Sequence, residues 1–182
     1  MHSLPMVDTV EVLGLLEELK EGRTRALARS ITLVESHRAS DRVAADFLMD
    51  HVNRALVQND DPTPFGWSMA VTGPPGAGKS TLIDLLGCQA LDRGHRVAVL
   101  AVDPSSAKSG GSILGDKTRM QRLVTRDQAF VRPSPAGTML GGTARATQEA
   151  MDLCRYAGFD WVLVETVGVG QNEIEVSNLV DW

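Results

Sequence analysis

One octapeptide constrains this chain more than any other stretch: Gly73-Pro74-Pro75-Gly76-Ala77-Gly78-Lys79-Ser80. It satisfies the phosphate-binding pattern G-x-x-x-x-G-K-[ST] at every fixed position. Ahead of it runs Trp67-Ser68-Met69-Ala70-Val71, a short apolar run that reads as a buried strand. Behind it, Ser80 to Arg93 carries Leu82, Leu85, Leu86 and Leu91 at roughly helical spacing. Strand, glycine loop and helix in that order are what a phosphate cradle needs. Glycines let successive N–H groups turn inward onto phosphate oxygens, and the helix N-terminus adds its positive dipole end. Lys79 reaches the outer phosphates as a point charge, while the hydroxyl of Ser80, followed by Thr81, suits Mg²⁺. The bland alternative is a glycine-rich turn that ends in Lys-Ser by accident. At average residue frequencies that is roughly a 1% event in a chain this long.

Composition bounds the remaining possibilities. With 182 residues, 43% of them hydrophobic, the chain suits one globular domain with a small appendage. A formal net charge of -5 argues against a general nucleic-acid binder, which normally shows a basic face. No apolar run approaches the ~20 residues needed to span a bilayer. Residues Met1 to Glu11 show acids and no basic-then-apolar signal pattern, so a cytoplasmic protein is expected. Cys88 and Cys154 stand alone in helical surroundings and read as buried free thiols of a reduced compartment.

The first sixty residues read as helical. Val12, Leu15, Leu16 and Leu19 follow the i, i+3, i+4, i+7 template until Gly22. Arg23 to Ser36 repeats it with Leu27, Ile31 and Val34. Ser40-Asp41 is an expected N-cap for a third helix carrying Val43, Phe47, Leu48, Val52 and Leu56, and His37 and His51 read as ordinary histidines within these helices. Asn59 to Pro64 is a polar, proline-bearing linker. The domains expected are therefore a helical segment over 1–62 and a nucleotide-binding domain over 63–182. Beyond the linker, strands and helices alternate, which marks an α/β fold with a mainly parallel sheet, a three-layer α/β/α sandwich. Val97–Val102 reads as a central strand, Lys117–Val124 as a helix, Ala129–Val131 as a short strand, Thr143–Tyr156 as a helix and Trp161–Val164 as the last strand.

In open α/β sheets, ligands sit beyond the carboxyl ends of the strands. Three acids fall there or in the following loops: Asp103 after the Val97 strand, Asp116 at the end of a Gly/Ser-rich loop, and Glu165 after the last strand. A nucleotide with Mg²⁺ needs carboxylates for the ion or its waters and a group to orient the attacking water. Glu165 with Gly168 forms an E-x-x-G variant of the strand-end acid plus glycine, and Gly168 would let its N–H approach the γ-phosphate. Lys108, Lys117 and Arg119 are available cations, though loop lysines are usually only solvated.

Together these residues resemble the MeaB/ArgK/MMAA family of P-loop GTPases, within the group that also holds nickel-insertion GTPases. The resemblance runs through Arg25–Glu35, Gly73–Thr81, Val102–Ser106, Gly111–Met120 and Val164–Gln171. It implies a GTPase that binds GTP/GDP with Mg²⁺ and serves as a chaperone for methylmalonyl-CoA mutase or another adenosylcobalamin-dependent mutase, in cofactor loading and protection. By that match, the catalytic residues are Lys79, Asp116 and Glu165, and the metal set is Ser80, Asp103, Asp116 and Glu165. Phosphate binding falls to Gly73, Pro74, Pro75, Gly76, Ala77, Gly78, Lys79, Ser80, Thr81 and Gly168. The loops Asp103–Gly115 and Glu165–Gln171 are the switch candidates. An older label for such sequences is a kinase or ATPase of an arginine/ornithine transport system. A metal-delivery GTPase is a further alternative, for which the lone Cys88, Cys154, His37, His51 and His95 supply no cluster. The family carries an N-K-x-D guanine-reading motif on a later strand, then more sheet and a dimerisation arm. None of these falls within Met1–Trp182, so an N-terminal portion without base selectivity is expected, the intact protein being a homodimer.

Overall fold

The computed structural model describes residues 9–58, 67–103, 120–135, 142–166 and 177–182. The chain divides into two compact units, Met1–Pro62 with Glu149–Gly158, and Thr63–Gln148 with Phe159–Trp182.

The first unit holds three helices, α1 (Thr9–Lys20), α2 (Thr24–Val34) and α3 (Ala39–Gln58), and all three pack on one another. Their contact faces are Val12, Leu15, Leu16 and Leu19 of α1, Ala26, Leu27, Ile31 and Val34 of α2, and Ala45, Leu48, Met49 and Val52 of α3. Burying each of the larger of these side chains (Val, Leu, Ile, Met) is worth ~1.5–3 kcal/mol. Gly22 ends α1 at φ 71°. There its N–H reaches the Leu19 carbonyl and the Arg23 N–H reaches that of Glu18, satisfying two orphan acceptors.

Three details of this unit depart from expectation. Helix α3 begins at Ala39, so Asp41 sits inside its first turn, where its carboxylate accepts a hydrogen bond from the Ser36 hydroxyl at 2.5 Å. That bond holds the Asp41 carboxyl below its ordinary value of 3.8. Val43 is exposed, because the register that buries Leu48 and Val52 brings Ala45 and Met49 inward instead. His37 lies between α2 and α3, not within a helix.

The second unit is a parallel sheet of β1 (Trp67–Val71), β2 (Val97–Asp103), β3 (Ala129–Pro135) and β4 (Trp161–Thr166), in the order β1-β4-β2-β3. Helix α4 (Lys79–Asp92) follows β1 and packs on β2 and β4. Helix α5 (Gly142–Tyr156), whose residues from Glu149 onward belong to the first unit, precedes β4. The central strands carry unbroken apolar runs ahead of their carboxyl ends, as strands covered on both faces do: Val97–Val102 and Val162–Val164 are all buried.

Alternation then assigns faces. Ile83, Ala90 and Leu91 of α4 form one cluster with Val97, Val99, Leu163, Met120 and Leu123, so the odd-numbered positions of β2 and β4 point toward α4. Within α4, burial falls on Ile83, Gly87, Ala90 and Leu91, while Leu82 and Leu85 are each 47% exposed. Where a helix over Lys117–Val124 was expected, the described part, from Met120, is a turn and a 3₁₀ helix (Leu123–Thr125). It is fastened to α4 by the Leu123 N–H, which donates to Asp84 Oδ1 at 3.1 Å.

Candidate nucleotide-phosphate site

The residues from Thr72 to Gly78 connect the carboxyl end of β1 to the first turn of α4. Their path turns on Gly76 at φ 82° and Gly78 at φ 85°. A Cβ at either position would meet nothing within 4 Å, so the requirement there is backbone conformation and not space. The first bond of α4 runs from the Leu82 N–H to the Gly78 carbonyl at 2.9 Å. The amides of Lys79, Ser80 and Thr81 precede it and belong to the donors that a helix start offers to an anion. Pro74 and Pro75 have no N–H to contribute, and the Ala77 N–H closes a turn onto the Pro74 carbonyl at 3.3 Å. The Lys79 ammonium spans the loop, donating to the carbonyls of Gly73 at 2.8 Å and Pro74 at 3.1 Å.

Beneath the loop the sheet supplies a carboxylate. Strand β4 lies between β1 and β2, with Glu165 opposite Val71 on one side and Ala101 on the other. The strand therefore runs past Val164, and Glu165 belongs to it. Two positions on from Leu163, Glu165 shares the face covered by α4. Its Oε1 accepts the Ser80 hydroxyl at 2.8 Å in a buried contact, Ser80 being 7% exposed and Glu165 9%. A hydroxyl and a carboxylate held together, both hard oxygen donors, suit Mg²⁺.

The remaining expected positions are placed as follows. Gly73, Pro74, Pro75, Gly76, Ala77, Gly78, Lys79, Ser80 and Thr81 form the loop and first turn just described. Asp103 closes β2 in register with Pro135, one step beyond the pairing of Val102 with Thr166, at the same end of the sheet. Asp116 and Gly168 lie outside the described residues, as do Lys108, Lys117, Arg119 and most of both switch candidates. Sequence reasoning missed Gly87 and Asp84, which carry the junction between α4 and the 3₁₀ turn. An isolated glycine inside a helical pattern was the available signal for the first. Cys88, on the same helix, is half-buried, and that burial pushes its thiol upward from 9.0.

A parallel sheet whose first strand feeds a glycine loop and a helix, with a strand acid against the helix's first serine, defines the phosphate-loop α/β fold of nucleoside triphosphatases. The family follows from comparison: the chain belongs to the methylmalonyl-CoA mutase-associated GTPase MeaB family, whose model matches residues 27–182. It is 52% identical over 176 residues to a putative GTPase of Caulobacter vibrioides, covering 97% of this chain and 52% of that protein. It is 47% identical to the mitochondrial methylmalonic aciduria type A homolog of Mus musculus, covering 90% and 40%. To the GTPase ArgK of Escherichia coli it is 43% identical, covering 97% and 51%. A crystal structure of a LAO/AO transport system kinase superposes with a TM-score of 0.71 at 33% identity, over 97% of this chain and 49% of that one. The chain thus spans about half the length of the curated relatives it matches.

Proposed function

We propose that this chain forms the phosphate-binding part of a Mg²⁺-dependent GTPase that acts as a chaperone for an adenosylcobalamin-dependent acyl-CoA mutase of the methylmalonyl-CoA mutase type. The observation that carries the reading is the buried 2.8 Å contact between Ser80 and Glu165 directly beneath the glycine loop. Family membership and the name of the mouse relative support the mutase as partner. In this reading residues 1–62 form a helical segment and 63–182 the nucleotide domain, the intact protein being a homodimer in the cytoplasm; the mouse relative's name is mitochondrial. Among the described residues no helix is long and apolar enough to cross a membrane.

The residues divide the work by charge and position. The amides at the start of α4 hold phosphate oxygens, and Lys79 exchanges the carbonyls of Gly73 and Pro74 for the outer phosphates. Ser80, Asp103, Asp116 and Glu165 would hold Mg²⁺. Bound Mg²⁺ supplies charge neutralisation at the transferring phosphoryl group. Asp116 or Glu165 orients the attacking water, and Gly168 brings an amide toward the γ-phosphate. Catalysis by such parts is positioning and electrostatic stabilisation, without a covalent intermediate.

The alternative is phosphoryl transfer to a small acceptor, which the name of the superposed kinase favours. Calorimetric titration with Mg·GTP and Mg·ATP tests both. Lys79→Ala is expected to weaken either titration at least tenfold, about 1.4 kcal/mol. A Lys79→Ala chain binding as tightly as its parent overturns the phosphate site. Turnover of ATP stimulated by an added amino acid replaces the GTPase with the kinase.

A further inference from the structure

Helix α4 turns an acid inward where packing alone asks for an apolar residue. The Asp84 side chain is 13% exposed, whereas Leu82 and Leu85 are each 47% exposed. Asp84 faces the 3₁₀ turn, whose N-cap residue, Arg122, makes no side-chain cap bond. The Leu123 N–H is an orphan donor at the start of that turn, and Asp84 Oδ1 accepts it at 3.1 Å. The cap is thus supplied by another element. The Arg122 guanidinium, 73% exposed and 3.9 Å from Oδ2, adds little. Two more contacts hold the same segment to α4. Leu123 packs on the bare Cα of Gly87, and Arg126 donates to Asp92 Oδ1 at 2.6 Å on the surface. Of the three, Asp84 is nearest the phosphate loop, one helical turn from Ser80 and roughly 6 Å along the axis. The fastened segment starts at Met120, fully buried in one cluster with Ile83 and Leu123. Asp116 stands four positions before Met120 in the sequence. Chain length keeps its Cα within about 14 Å of that of Met120, so where Met120 is held limits where Asp116 can reach.

We propose that Asp84 is a positioning residue for the metal end of the nucleotide site, an inference that rests on the reading of Ser80, Asp116 and Glu165 as metal residues. One helix carries Ser80 in its first turn and Asp84 in its second. By bonding the Leu123 amide, Asp84 holds the return end of the stretch from Asp103 to Met120 at a fixed distance from Ser80. It acts through that hydrogen bond and not by touching nucleotide or ion. A neutral acceptor of the same shape therefore serves equally well, which sets Asp84 apart from a metal ligand.

The test compares Asp84→Ala and Asp84→Asn with the parent chain. Two quantities are read: hydrogen exchange of the Leu123 amide without nucleotide, and the Mg²⁺ concentration that half-saturates the tightening of GTP binding by calorimetry. Asp84→Ala is expected to speed that exchange about tenfold and to raise the Mg²⁺ requirement about fivefold, with GTP affinity in chelator unchanged. Asp84→Asn keeps the acceptor oxygen and matches the parent in both. Gly87→Ala pushes Leu123 away from α4 by a methyl group and raises the Mg²⁺ requirement with Asp84 intact. In an Asp116→Ala background, Asp84→Ala adds no further increase. A parent chain whose nucleotide binding ignores Mg²⁺ overturns the metal reading, and the positioning role with it. With a Mg²⁺-dependent parent, the positioning role alone fails if Asp84→Ala leaves either quantity unchanged, if Asp84→Asn is as impaired as Asp84→Ala, or if the Asp84 and Asp116 effects add.

Discussion

The close approach of α4 to the 3₁₀ turn rests on the bare Cα of Gly87, and substituting it gives a prediction whose size follows from distances. A Cβ there would lie 2.8 Å from Leu123 Cδ2 and 2.9 Å from Cδ1. Leu123 is fully buried among Ile83, Leu91, Val97 and Leu163, so its methyl groups have nowhere to swing. Gly87→Ala gains ~1 kcal/mol of helix propensity and loses ~1–3 kcal/mol to overpacking, for a net loss near ~1 kcal/mol. Leu123→Ala alone costs ~3 kcal/mol through lost burial and the cavity left behind. In the double variant the clash disappears, the propensity gain is realised and the new methyl group occupies part of the cavity. The pair is then destabilised by only ~2 kcal/mol, a coupling of about -2 kcal/mol. Urea unfolding followed by tryptophan fluorescence measures this in the second unit alone, since Trp67, Trp161 and Trp182 all belong to it. Additive single effects, or a Gly87→Ala chain more stable than its parent by the full propensity gain, would refute the packing argument.

Three further outcomes are expected. Ser80→Ala removes the buried donor to Glu165 and lowers stability by about 1–3 kcal/mol, whereas Glu165→Gln keeps an acceptor oxygen and stays within ~1 kcal/mol of the parent while losing the Mg²⁺ dependence of nucleotide binding; paired titrations with and without Mg²⁺ distinguish them, and an unchanged Mg²⁺ dependence in Glu165→Gln removes the carboxylate from the metal set. At pH 8 the native chain should react slowly with a thiol reagent at both cysteines, because Cys154 is buried and burial raises the Cys88 thiol; a fast phase of one equivalent would contradict this. Asp41 is held below 3.8 by the Ser36 hydroxyl, so its contribution is present above that value and lost as pH falls through the lower folded one; Ser36→Ala should flatten the acid limb of an unfolding curve below pH 4, and an identical limb would show that the hydrogen bond contributes nothing.

How much of this was legible in the sequence depended on which signal each element carried. The central strands were readable because a strand covered on both faces has no polar alternation to obscure it, and Val97–Val102 is an unbroken apolar run. Helix faces were harder. Leucines dominate the eye in α4, yet its buried side includes Gly87 and Ala90, small residues that permit close approach and carry little hydrophobic signal. The extension of β4 through Glu165 is decided by ladder partners on both sides, Val71 and Ala101, which no local window contains. The same holds for Asp181, whose carboxylate accepts the hydroxyl of Ser68, 113 positions earlier.

The pairing of Ser80 with Glu165 follows once the strand order is known, and its cost indicates purpose. The sheet places β4 beside β1, alternation turns Glu165 to the side of Leu163, and α4 covers that side with its first turn above the strand end. Nothing in packing requires a carboxylate there. Burying one among apolar strands is unfavourable unless its charge is compensated. A sequence selected for stability alone would continue the run Val162-Leu163-Val164 with another aliphatic residue. Positions that break a local rule are expected where function demands it, and this one stands beneath a loop whose glycines and lysine are arranged for an anion. A hydroxyl and a carboxylate beside that anion's seat provide the oxygen donors that a divalent cation accompanying a nucleotide requires. Two independent departures from simple packing, left-handed glycines above and a buried acid below, thus converge on Ser80 and favour nucleotide chemistry there.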